Sequence, residues 1–269
     1  TLNAIIVQEA YDDPLPGIRE VLAAVRAATT APLLLGGTAF TTFPRRMLNY
    51  MQADYGIAGD SLDAISLFVR SLETNGNGDS APRPDLDTPG LVFRSGRGEI
   101  IERPFTIAGY PRVRFDYHDL IERKRYRRCY WEAAVITRSG CPEKCTYCDT
   151  YRTFGREFTL RDPADIAEEL LQLKRKHGAH SVWLVDSGFN RPLDHAKETL
   201  REIIRRGAQL RLYAVFDPGQ ADREFFRLYR RAGGVGFTMF AESLSDPVLE
   251  ALGKSFGTAE IFRDARTMR

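Results

Sequence analysis

The chain has few cysteines, no long apolar run and almost no net charge, and each scarcity removes a class of protein. Four cysteines in 269 residues are too few to staple a disulfide scaffold. No apolar stretch approaches the roughly 18 residues that read as a membrane-spanning helix, and no charged-then-apolar leader opens the chain. Lys and Arg number 38 against 36 Asp and Glu, so the formal charge of +2 gives no global field for nucleic acid or an acidic membrane. No short repeat or low-complexity tract appears. What is present, 43% hydrophobic and 28% charged residues, suffices for a real core. A length of 269 residues suits one large domain or two smaller ones. The chain opens on Thr1 and stops at Arg269 just past an apparent helix, which reads as a fragment.

Short apolar runs alternate with amphipathic stretches through the first third. Strands are expected at 4–9, 32–37 and 54–59, with helices at 17–28, 44–52 and 60–73. In the first helix Ile18, Val21, Leu22 and Val25 share one face, and Asp60 is placed to cap the third. Such alternation predicts a parallel sheet with right-handed crossovers. The Gly-, Asn- and Pro-rich segment 74–90 breaks the rhythm as a linker would, and 91–101 reads as a small hairpin turning at Ser95–Gly98. The rhythm then resumes. Strands are expected at 132–137, 181–186, 211–216 and 235–241, and helices near 163–177, 194–206, 221–232, 246–252 and from 258. Four such units make half an open sheet or most of a partial barrel.

Three of the four cysteines fall within eight positions. RSGCPEKCTYCDT places Cys141, Cys145 and Cys148 in a Cys-x3-Cys-x2-Cys spacing, on the loop directly after the strand 132–137. Active sites of parallel βα folds lie at the carboxyl ends of strands, where this loop sits. Structural zinc wants four ligands, and a cubane [4Fe–4S] cluster normally takes four cysteines. Three thiolates with no local fourth fit a cluster with one iron left open. The competing readings are a zinc site completed by Cys129 or His118, and three unrelated buried thiols.

The motif CPEKCTYC, with Tyr147 before its last cysteine, resembles the signature of radical S-adenosylmethionine (SAM) enzymes. The resemblance implies that Cys141, Cys145 and Cys148 hold a [4Fe–4S] cluster, that the amine and carboxylate of SAM chelate the open iron, and that Tyr147 lies against the adenine. An electron entering the sulfonium then gives a 5′-deoxyadenosyl radical that takes hydrogen from substrate. VWLVDSGFN makes Asp186 and Ser187 candidates for the SAM amine. The segment 236–256 resembles the family's fourth-strand segment, with Glu242 facing SAM, although Phe240–Ala241 replaces the usual Gly-containing approach. Without a ligand, Asp186 would cap the following turn and Glu242 would point into solvent.

The run from Leu33 through Val69 resembles the cobalamin-binding domain fused ahead of one radical SAM subclass. The resemblance assigns cobalamin contacts to Gly36, Gly37, Thr38, Thr41, Gly59 and Asp60. Glycines let backbone approach a flat macrocycle, and hydroxyls bond its nucleotide tail. The acidic turn of that subclass keeps one carboxylate here, in Gly59-Asp60-Ser61, and DYHDL (116–120) lacks the glycine of a cobalt-ligating histidine motif. The basic run 122–128 reads as a solvated helix face rather than an RNA site. His177, His180 and His195 have no metal spacing, and Trp131 and Trp183 read as core.

The expected fold class is therefore α/β. A Rossmann-like cobalamin-binding domain (1–75) is followed by a linker with a hairpin (76–130) and a partial (β/α) radical SAM barrel (131–269). The implied activity is methyl transfer to a carbon of a small-molecule or peptide substrate, using a [4Fe–4S] cluster, SAM and cobalamin. A flavodoxin- or ferredoxin-like donor would supply electrons in a reducing, cytoplasmic compartment, with no membrane or nucleic-acid partner. A cobalamin-retaining oxidoreductase, cyclase or ring-rearranging enzyme is the alternative. A zinc- or cobalamin-binding module without turnover is the alternative from another class.

Overall fold

The computed structural model describes residues 13–59, 62–74, 84–105 and 132–267. These fall into two units, one holding the described residues up to Phe105 together with Asp149–Phe154, the other holding the remainder from Glu132 on. The expected strand at 4–9, the Asp60 cap, Trp131, and most of the expected linker lie outside the described residues.

The first unit contains α1 (Leu15–Ala28), β1 (Leu34–Leu35), α2 (Thr38–Thr42), α3 (Pro44–Met51), β2 (Tyr55–Ile57), α4 (Leu62–Thr74), β3 (Leu91–Arg94) and β4 (Ile100–Glu102). It also takes in α5 (Thr150–Phe154). Its sheet runs β1-β2-β3-β4. Only β1 and β2 are parallel, with Leu34 opposite Tyr55, and the other two pairs are antiparallel. The expectation of a parallel sheet is corrected here to a mixed one. The expected hairpin forms, yet it joins the sheet directly, with Gly56 opposite Val92. The reason is burial on both faces. Val92 packs with Phe40 and Leu48, while Leu91 and Phe93 pack with Ile57 and Phe68. Three consecutive apolar residues need cover above and below, which a solvated linker could not give. Helix α1 also forms, but no residue of it is buried, and Val21 and Val25 of the expected core face are exposed.

In the second unit β5 (Ala133–Val135), β8 (Ser181–Leu184), β9 (Arg211–Phe216) and β10 (Gly234–Met239) form a fully parallel sheet in the order β10-β9-β8-β5. Each strand joins the same growing edge, as in a barrel rather than a sheet wound outward from its centre. The intervening helices are α6 (Pro163–Arg175), α7 (Leu193–Arg206) and α8 (Arg223–Ala232), with α9 (Asp246–Ala251) and α10 (Thr258–Thr267) after the last strand. Asp162 caps α6 through Ala164 N–H at 2.7 Å, and Asp222 caps α8 through Phe225 N–H at 2.8 Å. Helices α6 to α8 and the sheet share one core, including Leu170, Val182, Leu184, Leu200, Leu212, Phe216 and Phe225. Trp183 is not part of it. Its neighbours Val182 and Leu184 point to the helices, so strand alternation turns Trp183 to the other face, 39% exposed and edge-on to Tyr213.

The short helix α2 was not expected, nor was a pair of strands in the second unit. Between β5 and α6, β6 (Arg138–Ser139) and β7 (Thr159–Leu160) pair antiparallel. Two-residue strands leave no periodic trace in sequence. Among the described residues no helix is long and apolar enough to cross a membrane.

Candidate functional site

The β6–β7 pair closes the ends of the segment that carries the cysteines. Gly140 leaves β6 with φ of +82°, and a Cβ there would lie 1.9 Å from the carbonyl oxygen of Glu157, so no other residue fits. Cys141 N–H donates to Gly155 O at 3.0 Å, Thr146 N–H to Leu252 O at 3.0 Å, and Cys148 N–H to Cys145 O at 3.2 Å. The loop is thus braced by the segment just before β7 and by the end of α9. Cys141, Cys145 and Cys148 are all partly buried. Among the described residues no three His, Cys, Asp or Glu side chains converge on a position for a single metal ion. A tetrahedral zinc site requires such convergence, whereas in a cubane each thiolate takes a different iron. Cys129 and His118, the zinc alternatives, lie outside the described residues.

Two of the expected SAM contacts meet beside this loop. The Tyr147 hydroxyl donates to Glu242 Oε1 at 2.7 Å, and Lys254 Nζ donates to the Tyr147 oxygen at 2.6 Å and to Glu242 Oε1 at 3.3 Å. Glu242 sits just beyond β10 with φ of +62°, a strained conformation for a residue with a side chain. The Tyr147 hydrogen bond holds its carboxyl below the ordinary range. The Lys254 side chain is only 7% exposed. Burial works against its charge, but the Tyr147 hydroxyl and the neighbouring Cys145 and Glu242 outweigh that and hold the ammonium above its ordinary range. Burial in turn pushes the Cys145 thiol up, with Lys254 offsetting part of the rise. Tyr147 itself is 56% exposed, so its ring remains open to a flat ligand. Lys254 was not singled out from the sequence, although it ends the segment that carries Glu242.

Asp186 behaves differently from expectation. It is buried, and its carboxylate accepts from Thr137 N–H at 2.8 Å, Thr137 Oγ1 at 2.6 Å and Arg138 N–H at 3.2 Å. Burial raises its carboxyl above the ordinary range despite these donors. Its lone pairs tie the end of β8 to the end of β5. Ser187 is exposed and accepts from Arg138 Nη1 at 3.3 Å. The strand-end carboxylate with fewer commitments is Asp217, just past β9. Among the described residues its side chain has only an ion pair, with Arg191 at 3.7 Å, and burial raises its carboxyl. Arg191 also pairs with Glu143 inside the cysteine loop. Arg138 and Asp217 were both passed over in the sequence, because a single charge after a strand is usually solvated.

In the first unit, Gly36, Gly37 and Thr38 are exposed at the end of β1. Gly37 has φ of +95° and Gly59 φ of +93°. Thr41 is buried, and its hydroxyl donates to Gly37 O at 3.0 Å and accepts from Gly59 N–H at 2.9 Å. It pins the two strand ends together. Asp60 lies outside the described residues.

Comparison with known proteins adds a family, two relatives and two solved structures. The Radical SAM superfamily model matches residues 135–266. Tryptophan 2-C-methyltransferase of Streptomyces laurentii is 25% identical over an alignment of 289 positions that covers 87% of this chain and 47% of that protein. An anaerobic magnesium-protoporphyrin IX monomethyl ester cyclase of Synechocystis is 25% identical over 225 residues, 81% of this chain and 43% of its own. Among solved structures, the radical S-adenosylmethionine methyltransferase TsrM of Kitasatospora setae, with tryptophan and a SAM analogue bound, superposes with a TM-score of 0.79 at 23% identity. That match covers 94% of this chain and 50% of TsrM, and at this identity it is a likeness of fold. The same enzyme has been solved with cobalamin and a [4Fe-4S] cluster bound. The chain spans about half the length of these relatives.

Proposed function

We propose, from the match of residues 135–266 to the Radical SAM superfamily model, that this chain is the cluster- and cobalamin-bearing part of an enzyme that methylates a carbon of a small molecule. The observation that carries the reading is the braced loop with three partly buried cysteines at the carboxyl end of a parallel sheet. Its donor set suits a cubane with one open iron. When bound, the [4Fe–4S] cluster would supply the electron for SAM cleavage, and cobalamin would supply a methyl carrier.

The residues of the chain have separable tasks. Cys141, Cys145 and Cys148 would hold the cluster, and Gly140 lets the loop turn tightly enough to present them. Tyr147 offers a ring face for the adenine, oriented through its hydroxyl by Glu242 and Lys254. Asp217, poorly supplied with donors from the protein, is left to accept an N–H from the ligand. In the first unit the exposed Gly36-Gly37-Thr38 end of β1 and the Gly59 turn give backbone that a macrocycle could approach, as a Rossmann-like cobalamin-binding domain would require. An electron donor of the flavodoxin or ferredoxin class and a reducing, cytoplasmic setting complete the proposal.

Anaerobic reconstitution with iron, sulfide and hydroxocobalamin tests it. Iron and acid-labile sulfide in equal amounts, about four of each per chain, are expected from the cubane formula, together with retention of cobalamin through gel filtration. Zinc without sulfide would overturn it. The similarity to a cyclase, at the same identity as to a methyltransferase, favours a second reading in which cobalamin serves a ring-forming reaction. Methyl-labelled SAM separates the two, because label in the small-molecule product supports methyl transfer alone.

A further inference from the structure

Arg138 is a cation where none was expected. It begins β6, three residues before Cys141, and is 3% exposed. Its fork is used in two directions. Nη1 donates to the carbonyl of Gly140 at 2.6 Å, and Nη2 donates to the carbonyl of Gly188 at 2.6 Å on the loop after β8. The guanidinium carbon lies 4.4 Å from the centre of the Phe158 ring, so the cation is covered by an aromatic face. Its Nε is buried with no hydrogen-bond partner among the described residues. Burial lowers the pKa of the group, against the pull of Asp186, Asp217 and Cys141.

A solvated loop tie would not need a guanidinium under an aromatic ring. Burying a cation costs several kcal/mol unless charge of the opposite sign is near, and Asp186 already spends its lone pairs on Thr137 and on the Arg138 backbone. The remaining negative charge acting on Arg138 comes from Asp217, just past β9, and from the cysteine side at Cys141. A cluster held by three thiolates is anionic, and it gains a further negative charge on reduction. A fixed cation in a medium of low dielectric stabilises the reduced form more than the oxidised form.

We propose that Arg138 is a positioning residue that fixes the Cys141 end of the cluster loop and, through its buried charge, raises the reduction potential of the cluster held there. This rests on the cluster reading above. The two hydrogen bonds keep the cation at a constant distance from Cys141, and Phe158 keeps water from screening it. A merely structural arginine would do the first and not the second.

The test is an EPR-monitored redox titration of reconstituted wild type, R138K and R138Q, with iron and sulfide content and thermal melting recorded alongside. Lys keeps the charge and loses the fork, whereas Gln loses both. Relative to R138K, R138Q is expected to shift the reduced-to-oxidised ratio about tenfold toward oxidised at a given applied potential, which for one electron is about 59 mV more negative. Lower cluster content in both variants with an unchanged potential in R138Q would overturn the proposal. Should R138Q not fold, F158L admits water around an intact arginine. It is expected to move the ratio about two- to threefold in the same direction, and no movement there would overturn the proposal equally. Absence of sulfide in reconstituted wild type would instead remove the cluster reading itself, a result the titration of the variants cannot produce.

Discussion

The two units keep the carboxyl ends of their strands available by different means. In the first, β1 and β2 end in Gly36-Gly37 and Gly59, and the side chain between them, Thr41, is neutral. In the second, the strand ends carry Arg138, Asp186, Asp217 and Glu242. The difference follows the cores beneath. Among its described residues the first unit has two clusters of five buried residues each, and helix α1 buries nothing. The second has one continuous cluster reaching from Ala133 to Ala232. A charge can be held out of water only where rigid donors surround it, and only a deep core keeps donors rigid. A shallow unit is left with backbone as its binding surface.

That contrast can be broken most directly in the cores. Phe225→Ala removes a fully buried ring in contact with Phe189, Phe216 and Tyr229, and should cost about 3–5 kcal/mol in urea unfolding. Val21→Ala on α1 should stay within about 0.5 kcal/mol. Equal losses would mean that α1 is covered in solution and that the two cores are alike.

The next test is at the glycines. Gly140→Ala meets both the positive φ and the Glu157 carbonyl, and should destabilise the fold by about 1–3 kcal/mol or more and lower the iron content on reconstitution. At Gly36 a Cβ would find its nearest atom at 3.7 Å, so Gly36→Ala should change stability by less than about 1 kcal/mol. Any loss of cobalamin retention in that variant would then report on the ligand surface and not on the fold.

The smallest effect concerns pH. The Glu242 carboxyl is depressed in the folded state, so its contribution is present above the ordinary carboxylate range and disappears as pH falls through the lowered value. Wild type should melt higher than E242Q at neutral pH by less than about 1 kcal/mol, since the group is partly solvated. The gap should close in acid. A gap that stays constant with pH would show that Glu242 acts by shape and not by charge.

Much of the second unit was legible beforehand. Strand 211–216 and the helices α6 to α10 lie within two residues of expectation, because apolar periodicity and the aspartate caps are local signals. The cysteine loop was equally readable, since spacing and strand context are both local. The surroundings of the SAM candidates were less legible. Glu242 does meet Tyr147, but Asp186 is committed to Thr137 and Arg138, and which carboxylate is left open depends on donors 48 and 49 residues away in sequence. The hairpin's place in the sheet and the exposure of Trp183 were missed for the same reason, as pairing partners and covering helices are not neighbours in the chain.

Amino-acid order alone determined the βα rhythm, the turn that only glycine can make at 140, and three thiols on one loop, for each depends on residues a few positions apart. Only the tertiary structure decided which charges are spent and which are spare. The worth of a carboxylate or guanidinium depends on desolvation and on donors brought from distant segments, and neither exists until the strands have been laid side by side.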